Sequence, residues 1–155
     1  MSEQQPSFTI EKIYVKDLSV ELPNAPQCFL EREQPQIDVQ LRTAGAAVGD
    51  GVFDVALTVT VTAKIGEKTL FLVEAAQAGI FRILNVPEAE LGPVIAIGCP
   101  NILFPYARET VSDCVTRAGF PPVILAPVNF EALYQQQMAA AQQTAQAAPH
   151  EIPVQ

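Results

Sequence analysis

The stretch that most narrows what this chain can fold into is residues 52–84, VFDVALTVTVTAKIGEKTLFLVEAAQAGIFRIL. In its first part apolar and polar residues alternate: Phe53, Val55, Leu57, Val59, Val61 and Ile65 fall on one face, Asp54, Thr58, Thr60, Thr62 and Lys64 on the other. A period of two sustained over residues 52–65 is that of a half-exposed strand, because successive side chains of a pleated chain point to opposite sides. Gly66–Glu67 then offers a two-residue turn with glycine first, the II′ arrangement, into a second β-rich run at residues 69–84. The two strands are predicted to pair antiparallel.

Upstream, residues 8–22 read as a long strand whose apolar phase slips at Ile10/Ile13 and again at Val15/Leu18, so it either carries bulges or is covered on both faces. Residues 37–43, IDVQLRT, form a shorter alternating strand. The crossover between them, ELPNAPQCFLEREQP, is too irregular for a helix and too apolar at Cys28, Phe29 and Leu30 for a bare linker. Four strands with a loop packed on the sheet are therefore expected.

From Pro87 the period becomes helical. PEAELGPVIAIG, with proline and acids in its first turn, predicts a short helix broken near Gly92–Pro93. A second helix is expected from about Pro105, with Ala107, Val111, Cys114, Val115 and Ala118 on one face, Glu109, Asp113 and Arg117 on another, and Gly119 as its stop. After the loop FPPVILAPVN, with Asn129 as N-cap, a last helix carries Phe130, Leu133, Tyr134 and Met138 at helical spacing. Beyond about Ala141 the Gln/Ala bias and Pro149 predict fraying. The expected organisation is a flexible N-terminus at 1–7, one domain at 8–140 and a mobile tail at 141–155.

Strands grouped before helices predict an α+β fold, a four-stranded antiparallel sheet with helices packed on one face. The uncovered face would carry Asp54, Thr58, Thr60 and Thr62, either solvated or packed on a second copy. A chain of 155 residues suits a single domain, and its 13 prolines imply several sharp loops. The formal charge of −8, with only nine scattered Lys and Arg, argues against nucleic acid and for basic partners. MSEQQPSFTIEK lacks the pattern of a signal peptide, and residues 91–99 are too short an apolar stretch to span a bilayer, so a cytoplasmic protein without membrane insertion is expected. Cys28, Cys99 and Cys114, widely spaced and without a CxxC pair, read as buried thiols.

Residues able to do chemistry are sparse. The one histidine, His150, falls in the tail, phosphate-cradling glycine motifs are absent, and the carboxylate pairs Glu88/Glu90 and Glu109/Asp113 sit on expected solvent faces. No catalytic residue, metal or cofactor is assigned, and binding is expected in place of catalysis. The dense cluster NILFPYARE, residues 101–109, raises the question of what Ile102, Leu103, Phe104 and Tyr106 do beside a proline; from the residues alone they are core packing where a loop enters a helix.

CPNILFPYARE (99–109) followed by GFPPVILAPVNFEALY (119–134) resembles the signature of the SecB family of bacterial protein-export chaperones. IYVKDLSVELPNAP (13–26), VTVTAKIGEKTLFLVE (59–74) and QAGIF (77–81) resemble it in order and approximate spacing, so the likeness covers about residues 10–134. It implies a homotetramer, a dimer of dimers, that binds unfolded secretory precursors in apolar grooves without ATP and passes them to the motor SecA. Groove walls are then expected at Phe29, Leu30, Leu133, Tyr134 and Met138, where the crossover loop and the last helix meet the helical layer. Asp17, Glu21, Leu72 and Glu74 match the family's SecA-receiving acidic sheet surface; from spacing alone the three carboxylates are solvated rim charges, with Asp17 and Glu21 on one side unless a bulge intervenes. Val73, Ala75 and Gln77 are expected near a subunit interface. FLEREQP lacks a tryptophan found near this point in enterobacterial members, and the tail lacks the family's common acidic ending, which leaves a tail contact with SecA open. The alternatives are an oligomeric scaffolding module using the threonine-rich face and a small enzyme of unfamiliar mechanism.

Overall fold

The computed structural model describes residues 4–147. Residues 1–3 of the expected flexible start, and 148–155 of the expected tail with His150, lie outside the described residues. Four strands, β1 (Ser7–Glu21), β2 (Gln36–Gly49), β3 (Val52–Ile65) and β4 (Lys68–Leu84), precede three helices, α1 (Glu88–Pro93), α2 (Cys99–Arg117) and α3 (Phe130–Ala147). All strand pairs are antiparallel in the order β1-β4-β3-β2, so β1 and β2 are the sheet's edges.

The β3–β4 hairpin closes as expected through Gly66, whose φ is +62°. β2 runs six residues past the predicted Thr43 to Gly49 and turns into β3 through Asp50–Gly51. Its continuation, AGAAVG, carries no apolar–polar contrast, and the reason for its small residues lies across the layer. A Cβ on Gly45 would stand 2.8 Å from Ile95 Cγ2, so the helical layer rests on this part of β2 at backbone distance.

Bulges, not two-sided cover, account for the slips in β1. The register shifts between Ile10 and Lys12 and between Val15 and Asp17, leaving Glu11 and Lys16 as the extra residues. Each shift returns the apolar residues to one side: Phe8, Ile10, Ile13, Val15, Leu18 and Val20 pair with Ile83, Phe81, Gly79, Gln77, Ala75 and Val73.

The helical layer departs from expectation at its prolines. The short helix α1 does end at Pro93, near the predicted break, but the chain does not leave the helix there: a π-helical turn at Val94–Gly98 and then α2 follow without a gap. Pro100, the second residue of α2, follows directly on the π-helical turn, so its missing N–H falls where the helical hydrogen-bond pattern is changing from π to α. Pro105 lies inside α2 with its ring exposed, while Leu103, Phe104 and Ala107 around it are buried against the sheet and hold the helix through the lost hydrogen bond. NILFPYARE thus lies inside a helix, not where a loop enters one. α3 is capped as predicted, Ala132 N–H donating to Asn129 Oδ1 at 3.0 Å, but runs on to Ala147 because Ala and Gln are good helix formers.

Between the layers Val55, Leu57, Val59, Val61 and Ala63 of β3 and Phe71, Val73 and Ala75 of β4 meet Leu103, Ala107, Val111 and Val115 of α2, all buried. The three cysteines are free and buried, and burial pushes the Cys99 thiol up to about 12.

Candidate functional site

Gly119 ends α2 with φ +98°, and the chain doubles back over the crossover loop. The approach is close, since a Cβ on Gly119 would stand 3.0 Å from Phe29 Cε1. Phe29, presented by the single 3-10 turn Gln27–Leu30, stacks on Phe120 with centroids 5.2 Å apart, and Phe120 leans on Phe71 of β4 at 5.0 Å. These rings wall one end of a cavity of about 480 Å³, with Glu31, Glu33 and Gln34 on its border. Ile37, Pro122 and Val123 also border a second cavity of about 580 Å³, between Val39 and Leu41 of β2 and the segment running to Val128. The two form one open apolar groove along edge strand β2. Ile37 and Val39 remain 40% and 43% exposed, an unusual state for large aliphatics on an unpaired sheet edge.

Of the five residues expected to wall a groove, Phe29 does so. Its neighbour Leu30 is 79% exposed and faces away. Leu133, Tyr134 and Met138 line neither cavity, because α3 packs on the π-helical turn and not over β2. Leu133 joins the core, the Tyr134 hydroxyl approaches Gly92, and Met138 is half exposed. The walls that sequence reasoning passed over are Phe71, Phe120, Val123 and the β2 triplet Ile37, Val39 and Leu41. A signal existed for them in FPPVILAPVN, a proline-rich segment too apolar for a solvated loop.

The opposite face of the sheet is polar. Asp17, Ser19 and Glu21 pair with Ala76, Glu74 and Leu72, which pair in turn with Thr58, Thr60 and Thr62, and these with Arg42, Gln40 and Asp38. The Lys16 bulge precedes Asp17, so residues 17–21 are regular and Asp17, Glu21, Leu72 and Glu74 share this face. Thr60 donates to Glu74 at 3.3 Å and the Arg42 guanidinium stands 4.0 Å away, while Asp17 and Glu21 have no ion-pair partner among the described residues.

The other end of that face is internally neutralised. The Tyr14 hydroxyl donates to Asp54, Lys16 sits 2.8 Å from the second oxygen, and Glu11 pairs with Arg82. Burial pushes the Asp54 carboxyl up, but the hydrogen bonds from Lys16 and Tyr14 outweigh it and hold the carboxyl below its ordinary value. The same bond raises the Tyr14 hydroxyl.

Val73, Ala75 and Gln77 do not lie at the surface of the protomer. Val73 and Ala75 are fully buried beneath α2, and Gln77, 4% exposed, accepts from Thr110 of α2 and donates to the Tyr14 carbonyl of β1. The exposed apolar row nearby belongs to β1, where Phe8, Ile10, Val15, Leu18 and Val20 are each 40–47% exposed.

An edge strand flanked by an open groove with apolar walls suits the side chains of an extended polypeptide better than a small polar substrate, which marks an α+β polypeptide-binding module. The comparisons make the class particular. Residues 1–141 match the family described as preprotein translocase subunit SecB, and the chain belongs to the SecB family. It is 66% identical over 152 residues to the protein-export protein SecB of Dechloromonas aromatica, covering 98% of this chain and 97% of that one. To the SecB of Chromobacterium violaceum it is 68% identical over 142 residues, 90% of this chain and 95% of its relative. Among solved structures, the Mycobacterium tuberculosis Rv1957 SecB-like chaperone, in complex with a ChAD peptide from the Rv1956 HigA1 antitoxin, shares the fold. Its TM-score is 0.65 at 22% identity, over 78% of this chain and 90% of that one.

Proposed function

We propose that this export chaperone holds unfolded secretory precursors in the groove along β2 and delivers them to SecA through the acidic half of the open sheet face, in the cytoplasm and without ATP. The observation that carries the reading is the groove itself: a continuous apolar channel beside an unpaired strand edge, in a chain of the SecB family. Apolar burial, at about 25 cal/mol per Å², is non-directional, so such a channel accepts many sequences provided they are unfolded. Asp17, Glu21, Leu72 and Glu74, placed on one face by the β1–β4 register, are the proposed SecA contacts.

The working form is a homotetramer, a dimer of dimers of about 67 kDa, four times the chain's 16.7 kDa. Support comes from β1, whose free edge and half-exposed apolar row are unfinished surfaces in a single chain. Val73, Ala75 and Gln77 then act on assembly through α2, which they support from below, and not by direct contact. Several grooves on one tetramer engaging one long client raise avidity by roughly 10²–10⁴.

The test is suppression of aggregation of a denatured polypeptide without nucleotide, with mass followed by light scattering. Suppression by a particle of about four chains is expected. A monomer at micromolar concentration, or no suppression, contradicts the proposal and favours a scaffolding module.

A further inference from the structure

Both bulges of β1 put a charged residue outside the ladder, and both charges are answered across the sheet. Glu11 pairs with Arg82 of β4, and Lys16 reaches past β4 to Asp54 of β3. The reach is possible because β4 presents Ala76 and Ala78 on this face, side chains too short to stand in the way. The Tyr14 hydroxyl holds one oxygen of Asp54, and the other accepts from the Lys16 ammonium at 2.8 Å. Little of the Asp54 side chain is exposed, whereas half of Lys16 is, so the anion is the fixed member of the pair. At a bulge two residues oppose one, and here Lys16 and Asp17 share Ala76. Both turn to the open face, where Lys16 meets Asp54 and Asp17 begins the acidic run. A cation is thus the chain neighbour of the first proposed SecA contact, and where its ammonium goes depends on Asp54.

Resting on the docking face proposed above, we propose that Asp54 is a positioning residue for it: it tethers the Lys16 ammonium at the neutral end of the sheet and so keeps Asp17 unmasked for a basic partner. Asp54 does not act through its own field. On β3 it lies four residues from Thr58, whose row runs through Ala76 to Asp17, about 13 Å along the strands and about 10 Å across them. The resulting separation of about 16 Å is twice the screening length of about 8 Å at roughly 0.15 M salt. A released Lys16 ammonium has no such distance to cross, because its flexible four-carbon stem swings from the residue adjoining Asp17. A basic partner then meets a carboxylate already partly cancelled.

Titration calorimetry of the full chain with SecA at roughly 0.15 M salt tests the tether. Asp54→Asn is expected to weaken SecA about two- to fivefold, the worth of one exposed charge pair. Lys16→Gln alone should stay within about 1.5-fold of wild type, because the charge it removes is already tied down, and the double variant Asp54→Asn/Lys16→Gln should return to within about 1.5-fold. Suppression of aggregation should be as in wild type throughout. Asp54→Asn that leaves SecA unchanged overturns the tether. So does a double variant that stays weak, which makes the loss one of sheet structure. So, too, does a Lys16→Gln that tightens SecA alone as much as it does beside Asp54→Asn, which makes the effect plain addition of charge. Glu74→Lys checks the docking face separately: it should weaken SecA with or without the tether. Unchanged affinity in Glu74→Lys overturns that face and the inference with it, whereas a weakened Glu74→Lys beside an unaffected Asp54→Asn overturns the inference alone.

Discussion

The two faces of β3 and β4 are built from alternate residues of the same strands, yet they do opposite work. Toward α2, Leu57, Val59, Val61 and Val73 have no exposed surface, and their burial holds the sheet and helical layers together. Toward solvent, Thr60, Thr62, Leu72 and Glu74 are half-buried without a helix above them, and the buried residues, Thr58 and Ala78, are small. A side chain on the covered face is fixed by volume. One on the open face is free to be chosen for what it presents to a partner. The groove lies where the two regimes meet, at the edge of the covered face, where the helical layer reaches β2 at Gly45 but leaves Ile37 and Val39 at its other end half exposed.

The largest effect should separate the faces by stability. Leu57→Ala is expected to cost about 2–5 kcal/mol in urea unfolding, and Thr60→Ala, on the next residue but two and the opposite face, about 0.5 kcal/mol or less. Comparable losses would dissolve the distinction. Next in size, Val123→Asp puts a charge in the groove wall shared by both cavities, and should weaken an unfolded client at least about tenfold by titration calorimetry while sparing SecA. The mirror experiment, replacing Asp17, Glu21 and Glu74 by Lys, should weaken SecA at least about tenfold in a salt-dependent way while aggregation suppression persists. Unchanged SecA affinity at low salt in a still tetrameric variant contradicts the docking face.

A smaller effect concerns acid. Because Asp54 titrates below its ordinary value when folded, its contribution is complete above the unfolded carboxylate range and is lost as pH falls through that range and below. Tyr14→Phe removes one of the two bonds responsible, and should lower stability at neutral pH by about 0.5–1.5 kcal/mol and flatten the acid limb of a stability–pH curve. An acid limb as steep as in wild type would show the bond to be idle. The Cys99 thiol, pushed up to about 12 by burial, should resist alkylation at pH 8 until the chain unfolds.

What the sequence showed and hid follows from range. The hairpin of β3 and β4, the phase slips of β1, the Asn129 cap and the one-sided helical layer were legible because each is written in neighbouring residues. The groove was not, because its walls come from β2, β4, the crossover loop and residues 119–128, which only the folded chain brings together. The SecB signature marked the family correctly, but CPNILFPYARE is a helix with one buried face and touches the groove through Phe104. Parity would have moved Val73, Ala75 and Gln77: each is an even number of residues from buried Phe71, and so shares its covered face. Leu133, Tyr134 and Met138 were expected in the groove from the family resemblance; their helical spacing tells only that they share a helix, not what that helix meets.

Site-specific photocrosslinking tests the division of labour most directly. A photoreactive residue is placed at Val39 in the groove or at Thr62 on the open face, and each protein is irradiated with an unfolded precursor or with SecA. The predicted result is precursor captured from Val39 and SecA from Thr62, with little exchange between them. Precursor captured chiefly from Thr62, or SecA chiefly from Val39, would contradict the account.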